Sequence, residues 1–222
     1  MVSIPTNGSQ KSKFSIGDRV GGAWHGGHDG TCRSCGRGQF QMCDNKTVNG
    51  VFREGGYGEY ATLRTESAVR IPKDADPAEV APLLCAGVTV FNGIRNMPHV
   101  TAGDTVAVQG LGGLGHLAVQ YARKMGYRTV ALSRGTSKKD FATQLGATDY
   151  IDTEAHTAAE ELQKMGGADM IVVTAPNPDA ISPLLDGLAP TGTLRRSPPS
   201  TFSRHGVWMV TCTPSLNVET KS

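Results

Sequence analysis

The pattern of apolar and polar positions divides the chain near residue 101. From Phe14 to about Leu84, short apolar stretches alternate with dense glycines and turn residues. This spacing is typical of an irregular β domain whose turns need positive φ angles. After Thr101, apolar runs suited to buried parallel strands alternate with segments whose apolar residues recur every three or four positions. The sequence therefore predicts an irregular β region followed by an α/β region.

The second region alternates strands and helices. The predicted strands are 105–109, 128–133, 149–151 and 169–174, and the predicted helices are 114–125, 137–145, 157–165 and 180–188. Thr157 and Glu160 have the spacing of a capping box at the start of the third helix. Such alternation indicates a parallel sheet with right-handed crossovers. Because the fourth strand would lie at an unprotected edge, we expect the isolated chain to be poorly soluble or partly unfolded.

The remainder of the chain has a different composition. The last 28 residues, 195–222, contain five Ser, four Thr and three Pro, and Glu219 is the one acidic residue among them. The sequence predicts a short strand beginning at Gly192 that Arg195 and the residues after it do not continue. We expect residues 195–222 to be disordered.

Charge and hydropathy exclude several classes of function. Lys and Arg number 22 against 20 Asp and Glu, which leaves no basic surface of the kind that binds nucleic acid. No apolar run approaches the ~20 residues of a membrane helix, and the polar N-terminus has no apolar stretch of a secretory signal. We expect a soluble, cytoplasmic chain without nucleic-acid or membrane partners.

Six residues after the first predicted strand have the pattern G-x-G-x-x-G. They are Gly110, Leu111, Gly112, Gly113, Leu114 and Gly115, and a predicted helix follows. In a dinucleotide site, the first glycine turns the chain, the second lets the backbone approach a pyrophosphate, and the third allows close packing. The alternative is a tight strand–helix turn without a ligand. Three further strand–helix alternations favour the dinucleotide site.

The residues after the second predicted strand bear on cofactor choice. A carboxylate about 20 residues beyond the glycines would bind a free ribose 2′-hydroxyl and repel a 2′-phosphate. This position holds Ser133 and Arg134, with Lys138 close behind and no acid before Asp140. The pattern favours NADP(H) over NAD(H). The alternative is that these are ordinary solvated charges at a helix start.

Three of the five cysteines, Cys32, Cys35 and Cys43, lie within twelve residues. In a chain without an export signal, such a cluster more often binds metal than forms disulfides. A closed tetrahedral zinc site needs four ligands, and Asp29 or His28 would complete it. A zinc ribbon would need a second C-x2-C pair, which is absent, and three free thiols in a loop are the alternative.

These residues together resemble the zinc-dependent alcohol dehydrogenases of the medium-chain dehydrogenase/reductase superfamily. The matching stretches are 17–20 (GDRV), the cysteine cluster, 81–90 (APLLCAGVTV) and the glycine loop 110–115, in the order in which the family has them. The family's cysteine lobe has ligands spaced x2, x2, x7, so counting back from Cys43 places Asp29 at the first ligand position. The resemblance thus implies structural-zinc ligands Asp29, Cys32, Cys35 and Cys43.

The same resemblance implies the fold, the reaction and the remaining site residues. The fold would be α/β, with a partial GroES-like β domain followed by an incomplete Rossmann-type doubly wound parallel sheet. Cys85 would bind a catalytic zinc, and Thr89 would lie near the nicotinamide. Cofactor-binding residues would be Thr89, Gly110, Gly112, Gly113, Leu114, Gly115, Ser133, Arg134 and Lys138. The substrate would be a small alcohol or aldehyde, and a homo-oligomer is compatible with the family.

The match to the family extends from about Phe14 to Leu194. We expect a disordered start over 1–13, the GroES-like domain over 14–88, the nucleotide-binding domain over 89–194 and a tail outside the family over 195–222. The family's other catalytic-zinc ligands, in a Cys and a Gly-His-Glu segment, have no match, so we expect a chain truncated at both ends. An alternative is an inactive remnant that binds structural zinc and a nucleotide. The zinc-free quinone or enoyl reductases are disfavoured by the cysteines.

Overall fold

The structure is a computed structural model that describes residues 13–97, 99–175, 178–196 and 209–211. Except for Lys13, the N-terminal segment expected to be disordered lies outside the described residues. The chain divides into two compact units, Met1–Cys85 and Ala86–Ser222.

The first unit is mostly irregular, as its glycine pattern predicts. Its strands form two small antiparallel pairs: β1 (Val20–Gly22) with β4 (Ala68–Arg70), and β2 (His25–Gly27) with β3 (Thr47–Val48). Its helical segments are short: α1 (Arg33–Gly36), a 3-10 turn at Phe40–Met42, α2 (Pro77–Val80) and a 3-10 turn at Ala81–Leu84. Within β1, a Cβ on Gly21 would lie 2.5 Å from Leu84 Cδ1, so a larger residue there would displace the end of that side chain.

The second unit is an α/β sheet. Its elements are α3 (Ala86–Arg95), β5 (Thr105–Gln109), α4 (Gly115–Lys124), β6 (Arg128–Ser133), α5 (Lys139–Gln144), β7 (Asp149–Asp152), α6 (Ala158–Lys164), β8 (Ala168–Val173), β9 (Leu188–Arg196) and β10 (Met209–Thr211). The strand order is β10-β9-β8-β5-β6-β7. Strands β5 to β9 are parallel, and β10 is antiparallel to β9. The doubly wound order expected from the sequence is confirmed.

Both faces of this sheet are buried. Val106 and Val108 pack with residues of α3 and α4, whereas Ala107 belongs to the cluster on the opposite face, with Leu162 of α6. Successive side chains of a strand point to opposite faces, so a strand covered on both sides is apolar throughout. This explains why the predicted strands are continuous apolar runs.

The helical segments differ from the sequence prediction in two places. The fourth helix expected over 180–188 is a pair of 3-10 turns, Pro178–Ala180 and Ser182–Gly187. Pro183 disfavours the α conformation of the preceding residue, Ser182, at the break between the two turns. Thr157 precedes α6 but its side chain makes no capping hydrogen bond, so the predicted capping box does not form. No single described helix is long and apolar enough to cross a membrane, although the consecutive segments Pro77–Leu84 and Ala86–Arg95 reach that length and composition when they are taken together.

Strand β9 covers the edge of β8 that the sequence analysis leaves open. The register with β8 jumps from Leu188 to Thr193, and Pro190 and Thr191 (φ +70°) lie in the resulting bulge. The strand then continues through Arg195 and Arg196 and pairs with β10. The expected edge at the fourth strand and the expected disorder are wrong for these residues, because the bulge accommodates Pro190 and leaves a regular ladder beyond it. Residues 197–208 and 212–222 lie outside the described residues.

Arg195 is a charged residue in an apolar setting on β9. Its guanidinium donates to the sulfur of Met97 at 3.6 Å and forms no ion pair with any described residue. Burial lowers the pKa of Arg195, which is the direction expected when a cation loses water.

We predict that Arg195→Leu raises the free energy of unfolding, by about 1 kcal/mol or more, because it removes a half-buried and unpaired charge. Thermal denaturation of the full chain measures the change. Arg128→Leu is the matched control, since Arg128 pairs with Asp149 at 3.0 Å, and it is expected to leave stability unchanged or lower it. A lower melting temperature for Arg195→Leu would contradict the prediction.

Candidate metal centre and dinucleotide site

The cysteine cluster is built by α1 and the turn that follows it. Cys32 precedes the helix, Cys35 lies within it, and Cys43 follows the 3-10 turn. The three Sγ atoms lie within 4.8 Å of one another, and Cys35 and Cys43 are buried. In a tetrahedral zinc site with Zn–S bonds of ~2.3 Å, sulfur atoms are about 3.8 Å apart. The sequence therefore folds three separate thiols into a spacing that suits zinc.

Asp29 is the predicted fourth ligand, and it lies beside Cys43, although its carboxylate oxygens are not within 4.8 Å of all three thiols. Its Oδ1 lies 3.5 Å from Cys43 Sγ, close to the roughly 3.6 Å expected between a carboxylate oxygen and a sulfur on one zinc ion. The backbone N–H of Thr31 and the amide of Asn45 donate to this carboxylate, and they hold its pKa well below the usual range. An ionised carboxylate held by hydrogen bonds is an oriented metal ligand. The donor set fits zinc.

The thiols themselves differ in acidity. The backbone N–H groups of Asp44 and Cys35 lower the pKa of Cys32 to about 7. Burial raises the pKa of Cys35 to about 11. Zinc binds thiolates and displaces their protons, so the cluster has one thiol that ionises readily and another that needs the metal to do so.

His28, the other residue considered for the fourth ligand, is engaged elsewhere. Its Nδ1 lies 3.1 Å from Nε2 of His25, and its ring stacks on Phe40 with centroids 4.1 Å apart. The pKa of His25 is lowered, mainly by burial and next by the neighbouring His28. The rings of His25, His28 and Phe40 thus form one continuous stack. Its members share no periodic pattern, so the sequence analysis missed it.

The glycine loop follows β5 and leads into α4. Gly110 has a φ of +90°, and a Cβ on Gly115 would lie only 1.8 Å from the carbonyl oxygen of Gly110. Gly112 and Gly113 are exposed, and a Cβ on either would meet nothing within 4 Å. The first and third glycines of the motif are thus fixed by the fold, whereas Gly112 and Gly113 leave the backbone open to a ligand.

This loop lies where the strand order reverses. Strand β5 is flanked by β6 on one side and β8 on the other, and α4 begins at its carboxyl end with Leu114 as the preceding residue. Open α/β sheets bind ligands at this switch point, and the N-terminus of the helix favours a phosphate. Thr174, after β8, donates from Oγ1 to the carbonyls of Gln109 and Gly110. The sequence analysis missed Thr174 because β8 is distant along the chain.

The expected ribose-binding residues occupy the carboxyl end of β6. Ser133 ends the strand and is half-buried, and Arg134 and Lys138 are exposed. Neither cation forms an ion pair with a described residue. Two carboxylates that the local sequence does not contain, Asp152 and Glu154, come to this loop from the end of β7.

Cys85 and Thr89 lie at the start of α3. Cys85 is exposed and directly precedes the helix, and Thr89 follows within its first turn. Among the described residues, only the cysteine cluster brings three or more thiol, imidazole or carboxylate groups together as a metal site would. The ligand role of Cys85 stays a prediction.

Comparisons with known proteins agree with this geometry. The family described as alcohol dehydrogenase GroES-like domain matches residues 3–73, and the one described as zinc-binding dehydrogenase matches residues 113–195. The chain is 58% identical over 187 residues, 84% of its length, to alcohol dehydrogenase patD of Aspergillus clavatus. The chain belongs to the zinc-dependent alcohol dehydrogenase family. An alcohol dehydrogenase of Geobacillus stearothermophilus is 39% identical over 163 residues, which is 73% of this chain and 48% of that relative.

Solved structures of this family share the fold. A cinnamyl alcohol dehydrogenase from Sorghum bicolor superposes with a TM-score of 0.74 at 30% identity and covers 84% of this chain and 56% of its own. The protein CAD from Helicobacter pylori, solved with NADP(H), gives 0.73 at 30% identity and covers 83% and 53%. The chain spans about half the length of these relatives, including 48% of patD.

We predict that Gly115→Ala destabilises the second unit by about 3 kcal/mol or more. The backbone at Gly110 would have to move away from the new methyl group. Gly113→Ala is the matched control in the same loop and is expected to stay within about 0.5 kcal/mol of the parent chain, since its Cβ would meet open space. Chemical denaturation measures both variants. Equal melting behaviour of the two would contradict the close approach.

For the metal centre, we predict that Asp29→Ala weakens zinc binding by at least about 10-fold, the lower limit that is typical of losing an outer-shell partner, because one of four donors is lost. Asp44→Ala, which removes an exposed carboxylate next to Cys43 but keeps the backbone N–H that reaches Cys32, is expected to bind zinc like the parent chain. Competition with a chromogenic chelator measures the affinity. If Asp29→Ala retained the parent affinity, Asp29 would not be a ligand.

Proposed function

We propose that this chain supplies the zinc lobe and the nicotinamide-nucleotide unit of an oxidoreductase that transfers hydride between a small alcohol or aldehyde and NADP(H). The observation that carries the proposal is the glycine loop at the point where the strand order reverses, with Gly115 against the Gly110 carbonyl and with Gly112 and Gly113 open. The cytoplasmic location and a homo-oligomeric assembly expected from the sequence are part of the same proposal.

The proposal includes two zinc sites, one structural and one catalytic. Asp29, Cys32, Cys35 and Cys43 hold a structural zinc that ties α1 to the turn before β3. Cys85 is one ligand of a catalytic zinc, which when bound supplies Lewis-acid polarisation of the substrate oxygen. Thr89, in the first turn of α3, would lie beside the nicotinamide and orient its ring when the cofactor is bound.

The cofactor preference follows from the end of β6. The pyrophosphate lies at the N-terminus of α4, against the open backbone of Gly112 and Gly113. Ser133 and Arg134 then face the 2′-position of the adenosine ribose, where a guanidinium binds a phosphate in bidentate fashion. Lys138 adds positive charge before α5. The NADP(H) recorded with the Helicobacter pylori relative supports this choice.

The activity is tested on the full chain loaded with zinc. Oxidation of NADPH is followed by absorbance with a panel of small aldehydes, and the reverse reaction with the corresponding alcohols. Turnover that needs zinc and is lost in Cys85→Ser supports the proposal. Binding of zinc and NADPH without turnover would overturn the catalytic part and favour the alternative, a zinc- and nucleotide-binding chain without activity.

We predict that Arg134→Ala weakens NADPH binding about tenfold or more and leaves NADH binding within about twofold, because only the 2′-phosphate loses a charged partner. Arg128→Ala is the matched control, since Arg128 begins the same strand and pairs with Asp149 at its far end. Titration of nicotinamide fluorescence measures both dissociation constants. An equal loss for NADPH and NADH would contradict the assignment of Arg134.

A further inference from the structure

We propose that Asp152 and Tyr150 are positioning residues that clamp Gly135 and thereby present Arg134 to the 2′-phosphate of the cofactor. The inference rests on the proposed NADP(H) preference and deepens it. It assigns a role in cofactor discrimination to two residues of β7 that lie 16 or more positions beyond Arg134 along the chain.

The clamp consists of two hydrogen bonds to one peptide segment. The carboxylate oxygen Oδ1 of Asp152 accepts from the backbone N–H of Gly135 at 2.7 Å. The hydroxyl of Tyr150 donates to the carbonyl oxygen of Gly135 at 2.6 Å. Both polar groups of Gly135 are therefore bonded to side chains of the neighbouring strand. A loop residue held from both sides has little freedom to rotate.

The strand ladder holds the clamp itself. Ser133 is paired with Asp152 in the parallel register of β6 and β7, and the N–H of Thr153 donates to the Ser133 carbonyl at 3.0 Å. The ring of Tyr150 packs against the buried cluster that contains Val106 and Val108. Arg134 is thus the one residue between a strand end fixed by the ladder and a glycine fixed by the clamp. Its side chain is exposed, but the direction in which it leaves the backbone is set.

Gly135 has the backbone conformation that the clamp requires. Its φ of +65° lies in the left-handed region, which turns the chain away from β6 immediately after Arg134. Without its two partners, a glycine at this point would let the loop sample many conformations. An arginine on such a loop would lose part of its affinity to the cost of ordering it, because immobilising flexible groups opposes binding.

The negative charge of Asp152 is compatible with a phosphate bound nearby. Its Oδ1 also accepts from the backbone N–H of Glu154 at 2.9 Å, so two donors share this oxygen. Glu154 is a second carboxylate at the loop, with Oε2 3.5 Å from the position of a Cβ on Gly135, but its side chain makes no hydrogen bond to Gly135. A substitution that neutralises Glu154 therefore changes the charge at the loop and leaves the clamp in place.

The experiment compares variants of the full chain by fluorescence titration with NADPH and with NADH. Asp152→Ala removes the acceptor, Asp152→Asn keeps an oxygen acceptor without the charge, and Tyr150→Phe removes the other half of the clamp. Glu154→Gln is the matched control that changes charge alone. Melting temperatures are recorded for each variant, and 2′,5′-ADP and 5′-AMP serve as fragments that differ by the 2′-phosphate.

We expect Asp152→Ala to lower the preference for NADPH over NADH about tenfold and Tyr150→Phe to lower it about threefold, as expected when one charge-assisted and one neutral hydrogen bond are lost. Asp152→Asn and Glu154→Gln are expected to keep the parent preference within about twofold. The same ranking is expected for 2′,5′-ADP against 5′-AMP.

Three outcomes would overturn the inference. A parent chain without preference for NADPH refutes the proposed cofactor choice and the clamp with it. A parent chain with that preference, unchanged in both Asp152→Ala and Tyr150→Phe, refutes the clamp alone. A gain in NADPH affinity that is equal in Asp152→Asn and Glu154→Gln assigns the effect to charge. If Asp152→Ala does not fold, Tyr150→Phe decides, because a preference that is unchanged in this variant refutes the clamp.

Discussion

The contact between Gly115 and the carbonyl of Gly110 is the constraint on which the nucleotide unit depends. A Cβ at residue 115 would lie 1.8 Å from that oxygen, so α4 can start directly beside the end of β5 only because residue 115 has no side chain. The contact fixes where the helix N-terminus lies relative to the switch point of the sheet. The open backbone of Gly112 and Gly113, and with it the proposed phosphate site, follows from that placement.

The metal centre depends on a different kind of constraint, which is local in sequence. Cys32, Cys35 and Cys43 are brought together by one short helix and one 3-10 turn, and Asp29 approaches from the residues just before them. Sequence reasoning can identify a site built from a single short segment, because the spacing of the ligands along the chain determines how close they lie in space. The family's pattern has a cysteine where this chain has Asp29. In this structure, Thr31 and Asn45 donate to the Asp29 carboxylate.

Much of the fold was predictable for the same reason. The apolar runs identify strands that are buried on both faces, and strand–helix alternation indicates that these strands are parallel. The doubly wound arrangement of the strands was expected only from the family resemblance. The predictions failed where a single residue changed the local rule. Pro183 disfavours the α conformation of Ser182 in the segment after β8, and the bulge at Pro190 and Thr191 allows β9 to continue where the composition indicates an end.

The parts of the candidate site that sequence could not provide come from distant strands. Thr174 reaches the glycine loop from β8, and Asp152 and Tyr150 reach the loop after β6 from β7. None of them has a motif, since their roles depend on strand register rather than on spacing. Local patterns thus identify the residues that would touch the cofactor, and the sheet determines the residues that hold them in place.

The most direct test of the account is native mass spectrometry of the purified full chain, with zinc and NADPH added and the excess removed. The account predicts a mass increase of one NADPH per chain on a species that already carries zinc at the Asp29, Cys32, Cys35 and Cys43 centre. A folded chain that retained neither zinc nor NADPH would contradict it.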